Sequence, residues 1–266
     1  MQWEQMTEPQ FRKALKETKI CVLPMGVVER HADHLPLGTD FLNAHRIACM
    51  AAQLEPAVVF PPFYFGQIYE ARCFAGTVTI PPDLLLRLLR SILDEIGRNG
   101  FRKIIVYNGH GGNNPLLPFV AQCSLFEQKP YTIYLYRGLS DREQERWNAV
   151  LETKEHGHAC ECETSVTLAN YEDLVDKDAL AQKPGSALGR LSNLAGSYSG
   201  IWWYADYPRH YAGDARRATK EKGLELRQIK VESFAGFISR VKEDTVTQAL
   251  EREFFSRESD LRSGVR

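Results

Sequence analysis

The chain has 266 residues, of which 44% are hydrophobic and 25% charged, and its formal net charge is −1. This is the balance of a globular chain with apolar material for one large core, and near-neutrality excludes a strong field for nucleic acid or an anionic membrane. No apolar run approaches the roughly 18 residues of a membrane span, and Met1 to Gln5 shows neither a basic nor an apolar leader pattern, so a cytoplasmic chain is expected.

Residues 8–18 read as a short charged helix, and the run Ile20 to Met25, closed by Gly26, predicts a buried strand. This strand delivers the loop Glu29-Arg30-His31-Ala32-Asp33-His34-Leu35-Pro36-Leu37-Gly38-Thr39-Asp40. Glu29 and His31 are two residues apart, so an extended backbone aims both the same way. Pro36 and Gly38 allow the chain to bring Asp40 back toward them. Imidazoles and carboxylates without thiolates suit zinc, manganese or iron; a solvated loop is the competing reading. Phe41 to Ala52 has helical spacing, with His45 read as a surface or core histidine.

A second strand is expected at 57–60, then an aromatic loop from Phe63 running into a β segment that ends near Ile80, with Arg72 inside it. Pro81-Pro82-Asp83 opens a leucine-rich helix to about Gly97. The β-branched run 103–107 predicts a central parallel strand, and it ends in Asn108-Gly109-His110-Gly111-Gly112-Asn113. Glycines permit close backbone approach, and a lone histidine framed by them at a strand end points to a metal ligand. The spacing fits neither phosphate-binding fingerprint. A helix at 116–126, a strand at 131–136 and a charged helix at 141–152 follow.

Glu155 to Ser165 then carries His156, His158, Glu161 and Glu163, a second set of metal-seeking side chains. The six cysteines are scattered as free thiols of a reducing compartment are. The pair Cys160 and Cys162 lacks a second thiol pair for a zinc site and is read as packing, with a redox role as the alternative. Alternation of strands and helices predicts a mostly parallel sheet covered on both faces. Residues 196–214 form an aromatic loop that includes Trp202 and Trp203, suited to cover a polar ring or to contact another subunit. A helix over 218–239 and an amphipathic charged end over 242–266, frayed at its last residues, complete one domain.

Four separated motifs, Leu23-Pro24-Met25-Gly26 through Glu29-Arg30-His31, His34 through Asp40, Asn108 through Asn113, and His158-Ala159 through Glu163-Thr164-Ser165, together resemble the creatininase (creatinine amidohydrolase) family. The resemblance runs over about residues 18–225, with weaker echoes at 74–77 and 213–223. It implies a three-layer α/β/α sandwich, a homohexamer, and two divalent metal ions (Zn, Mn or Fe) bridged by Asp40. Glu29 and His110 would belong to one ion and His31 to the other, with His158 as the catalytic residue. Where creatininase has a Glu two residues after the histidine matching His110, this chain has Gly112. The resemblance then leaves Glu161 as the replacement ligand, with Glu163 as its support or substitute.

Gly157, Cys160 and Arg72 also depart from the family's pattern, all in the substrate region, and argue against creatinine itself. The implied activity is hydrolysis of a small polar ring, first a cyclic amide, alternatively a lactone or a cyclic keto-polyol of inosose type cleaved at a C–C bond. Arg72, Trp202 and Trp203 would bind that substrate. A non-catalytic metal-binding relative is the other reading.

Overall fold

The computed structural model describes residues 1–264. In chain order its elements are α1 (Glu8–Thr18), β1 (Ile20–Met25), α2 (Thr39–Leu54), β2 (Val58–Val59), α3 (Pro82–Arg98), β3 (Lys103–Asn108), α4 (Leu116–Cys123), β4 (Thr132–Leu135), α5 (Asp141–Val150), β5 (His156–His158), α6 (Glu161–Tyr171), α7 (Trp202–Asp206), β6 (Ala212–Gly213), α8 (Lys220–Glu243) and α9 (Val246–Ser263). Starts are chemically marked: Thr7 with Gln10 and Ser140 with Glu143 form reciprocal caps on α1 and α5, and Pro82 opens α3.

The central sheet runs β2-β1-β3-β4 with every pairing parallel. Strand side chains alternate between faces. Ile20 and Val22 of β1, with Ile105 and Tyr107 of β3, pack against residues of α2, α5, α6 and α8. Cys21, Leu23 and Met25, with Ile104 and Val106, pack against α1, α3 and α4 on the other side. All six β1 residues are buried, as a parallel strand covered on both faces requires. This is the expected three-layer α/β/α sandwich. A small antiparallel pair, β5 with β6, sits apart from it, joining His156 to Gly213 and His158 to Ala212.

Three local expectations change. The β segment before Ile80 is absent among the described residues: Phe63 makes an isolated bridge to Met25, Tyr69–Ala71 is a 3-10 turn, and residues 75–80 pair with no strand. Residues from Glu161 onward, left without an assigned element, form α6. Within 196–214, expected as a loop, Trp202–Asp206 form α7 and Ala212–Gly213 form β6. The charged end forms α9 to Ser263, and of the last residues expected to fray, 265 and 266 lie outside the described residues. No helix among the described residues is long and apolar enough to cross a membrane.

Candidate metal centre

Two glycines bring the first turn of α2 to the ends of the central strands. A side-chain carbon at Gly26 would stand 2.3 Å from Phe41 N, and one at Gly109 would stand 2.7 Å from the Asp40 carbonyl. Without those carbons, α2 closes onto β1 and β3 and sets Asp40 above both. Asp40 lies in the first turn of α2, where the helix dipole favours a carboxylate.

The side chains delivered there converge. His110 Nδ1 lies 2.8 Å from Glu29 Oε1 and 3.0 Å from Asp40 Oδ2, and His31 Nε2 lies 3.0 Å from Asp40 Oδ1. Asp40 therefore stands between the two histidines with one oxygen toward each. Glu29, His31 and Asp40 offer atoms within 4.8 Å of one another, as do His31, His158 and Glu163, and Glu29, His158 and His210. Glu29 and His31 are fully buried, and Asp40, His110, His158 and His210 nearly so.

The outer nitrogens of these rings are held by backbone carbonyls. His110 Nε2 donates to the Gln67 carbonyl at 2.9 Å, His31 Nδ1 to the Glu29 carbonyl at 3.2 Å, and His158 Nε2 to the Arg30 carbonyl at 2.8 Å. The glycine-framed loop is itself pinned, Asn108 accepting from His110 N and Asn113 accepting from Gln67 N. Carbonyls that hold one ring nitrogen orient the other as a ligand.

Buried acids and imidazoles at such distances need positive charge among them. Glu29 Oε1 and Asp40 Oδ2 are buried without a well-directed hydrogen bond, although His110 Nδ1 faces both. Burial opposes the charged form of His31, but Asp40 and Glu29 outweigh it and push its pKa up to about 10. His110 is raised for the same reasons, by Glu29 and then Asp40. Protons on these rings thus stand in for a cation, and a donor set of two carboxylates and two imidazoles fits divalent zinc, manganese or iron. His158 is the opposite case: burial and the neighbouring His31 hold it well below the ordinary histidine range, as a neutral ring. Burial likewise raises the Glu163 carboxyl.

Glu161 does not join this cluster. Its carboxylate accepts from Lys222 Nζ at 2.5 Å, from Thr153 N and Oγ1 at 2.7 Å, and from Glu152 N at 3.1 Å. Positions two apart on a helix are rotated by about 200°, so α6 turns Glu161 toward α8 and Glu163 toward His31 and His158. Nor can residue 112 supply a carboxylate: a carbon there would stand 2.4 Å from His110 Nε2 and 2.8 Å from the Gln67 carbonyl. His45 lies away from the centre near Glu4 and Cys49, and buried His34 is satisfied by Thr164 and Gln182.

Two features had no counterpart in the sequence reading. His210 donates from Nε2 to Glu29 Oε2, and backbone strain gathers around the site. Ala32, Ala159 and His210 have φ of 51°, 54° and 52°. Non-glycine residues rarely adopt this region and do so where surrounding structure compels them. One flanks His31, one flanks His158, and one is a member of the cluster.

The cluster opens into a cavity of about 990 Å³ lined also by Gln67, Glu70, Arg72, Trp202 and Trp203. All three residues expected to bind substrate therefore face the same space as Glu29, Asp40, His110, His158 and Glu163.

A family model described as creatininase, creatinine amidohydrolase, matches residues 4–238. The chain belongs to the creatininase family of hydrolases. It is 26% identical to a 3-dehydro-scyllo-inosose hydrolase of Thermotoga maritima over 91% of this chain and 82% of that protein. It is 27% identical to a mycofactocin precursor peptide peptidase of Mycobacterium ulcerans over 83% of each. Among solved structures, a creatininase variant of Zn–Zn type superposes with a TM-score of 0.75 at 20% identity, covering 90% of this chain and 97% of that one. The creatininase fold inferred from the four motifs is thus the fold of the molecule.

Proposed function

We propose that this chain is a metal-dependent hydrolase that opens a small polar ring at a carbonyl, a cyclic amide being the first substrate class. The reading rests on one observation: Asp40 directs one oxygen to His31 and the other to His110, beside Glu29, at the floor of a cavity. Glu29, Asp40 and His110 would hold one divalent ion, and Asp40, His31 and Glu163 a second, in place of the Glu161 of the initial expectation. Zinc or manganese at these positions would supply Lewis acidity toward the carbonyl and would acidify a water.

The chain's own groups supply the rest. Neutral His158, its Nε2–H spent on the Arg30 carbonyl, keeps the Nδ1 lone pair for a proton taken from the attacking water and returned to the leaving group. Glu163 lies beside it and beside His31, placed as the carboxylate of the second ion. Arg72 would meet a carbonyl or hydroxyl of the ring, and Trp202 and Trp203 its faces.

A second reading, hydrolysis of a cyclic keto-polyol at a C–C bond, is favoured by the similarity to the Thermotoga maritima hydrolase over nearly the whole chain. Gln67, Glu70 and Arg72 offer the hydrogen bonds a polyhydroxylated ring requires. We propose further a cytoplasmic homohexamer, on resemblance alone.

The test is metal analysis of wild type and Asp40→Ala, together with assays on lactams, lactones and cyclic keto-polyols. The proposal expects about two metals per chain in wild type, with metal and turnover lost together in the variant. Wild type that takes up no zinc, manganese or iron and turns over no ring would overturn it.

A further inference from the structure

The fold assembles a second set of ligand atoms that the hydrolytic centre does not use. Cys160 and Cys162 place their sulfurs 3.3 Å apart, and His156 joins them with its ring, all three ligand atoms lying within 4.8 Å of one another. The third donor that the sequence pair lacked comes from the strand before the turn: β5 ends at His158, the chain passes through Ala159 at φ 54°, and Cys160 is the N-cap of α6. Cys160 is buried, Cys162 is half-buried and His156 is exposed, so the set has a closed floor and an open mouth.

We propose that His156, Cys160 and Cys162 form a separate site for a soft or borderline cation, with Zn²⁺ as the defining ligand and its fourth position open to solvent.

Two arguments carry it. Two sulfurs and an imidazole are the donors such a cation selects, in contrast to the carboxylate and imidazole donors around Asp40. Sulfurs bound tetrahedrally at ~2.3 Å stand about 3.8 Å apart, so the observed pair needs only a small opening. The site is also placed to matter. His156 stands two residues before His158, and Cys162 immediately precedes Glu163. A cation held here would tie β5 to α6 and fix the turn that carries both groups.

Cobalt distinguishes the two sites by itself, because thiolate-to-cobalt charge transfer absorbs in the near ultraviolet and carboxylate or imidazole ligation does not. Full-length protein is stripped with a chelator under a phosphine reductant and titrated with Co²⁺ without oxygen. The expected result is a charge-transfer band saturating at one equivalent in Asp40→Ala and within three equivalents in wild type, lost in Cys162→Ser and weakened in His156→Asn. In unmutated protein, three equivalents of Zn²⁺ should slow alkylation of Cys162 about tenfold while exposed Cys73 reacts as before. No band in wild type, a band that survives Cys162→Ser, or unchanged alkylation of Cys162 would each overturn the site. None of these readouts depends on turnover, so the hydrolytic reading stands or falls separately.

Discussion

His210 Nε2 donates to Glu29 Oε2 at 2.5 Å, joining the aromatic segment after α7 to the acid beside His110. The direction of the bond is fixed from behind: Trp203 Nε1 can only donate, and it donates to His210 Nδ1 at 3.0 Å, leaving the proton on Nε2. Trp203 lines the cavity, so a wall residue and the metal centre share one hydrogen-bonded chain.

Replacing His210 by Ala is therefore expected to lower metal affinity or kcat about 10- to 100-fold, the usual cost of losing a partner that orients a ligand. Trp203→Phe keeps a ring in the wall but removes the donor, so its effect should be smaller and should appear in kcat before KM. Metal titration with steady-state kinetics would check both, and wild-type values in His210→Ala would refute the link.

Glu161 and Glu163 should separate stability from chemistry. Glu161→Gln removes the charge facing the Lys222 ammonium, which keeps Glu152 and the Arg217 carbonyl, and sets an NH2 against the Thr153 and Glu152 amides, at a cost of about 1.5–3 kcal/mol and with metal content retained. Glu163→Gln should unfold near the wild-type denaturant midpoint yet lose metal or turnover. Urea titration with metal analysis decides; the opposite pattern would return Glu161 to the ligand set.

Neighbouring glycines make a second contrast. A side-chain carbon at Gly112 meets His110 Nε2 and the Gln67 carbonyl, whereas nothing lies within 4 Å of one at Gly111. Gly112→Ala should cost about 1–3 kcal/mol through overpacking and weaken metal binding, while Gly111→Ala should be close to neutral. Thermal melts and metal stoichiometry test the pair, and equal tolerance at both positions would contradict the packing given for the loop.

Protonation gives the metal-free protein a distinctive pH profile. Because the folded His31 pKa is raised to about 10 from an ordinary 6.5, the folded state binds more protons between those values. Its stabilising contribution is complete below about pH 6.5 and declines as pH rises toward 10. Chelator-stripped protein should melt at progressively lower temperature across that window. Metal-loaded protein should not, since ligation needs the imidazoles deprotonated and strengthens with pH. A stripped protein whose Tm is level or rising from pH 6.5 to 10 would show that His31 is not held charged by Asp40.

The sequence by itself determined what depends on local pattern. The apolar run at 20–25 had to be a strand buried on both faces, and the proline-led leucine helix at 82–98 had to cover one of them. Glu29, His31, Asp40, His110 and His158 were legible because each follows an apolar strand or sits in a conspicuous polar cluster, and parallel strands open their ligand crevices at that end. Tertiary structure decided what depends on rotation and on distant pairing. Glu161 and Glu163 are chemically alike, and only the seating of α6 against α8 turns one to Lys222 and the other to His31 and His158. His210 reaches Glu29 across 181 residues by a positive-φ turn before β6, and no spacing rule encodes that approach. His156 likewise meets Cys160 and Cys162 only because the chain reverses at Ala159. Periodicity reports which face of an element is buried; the direction of a polar side chain is settled by whatever packs against it.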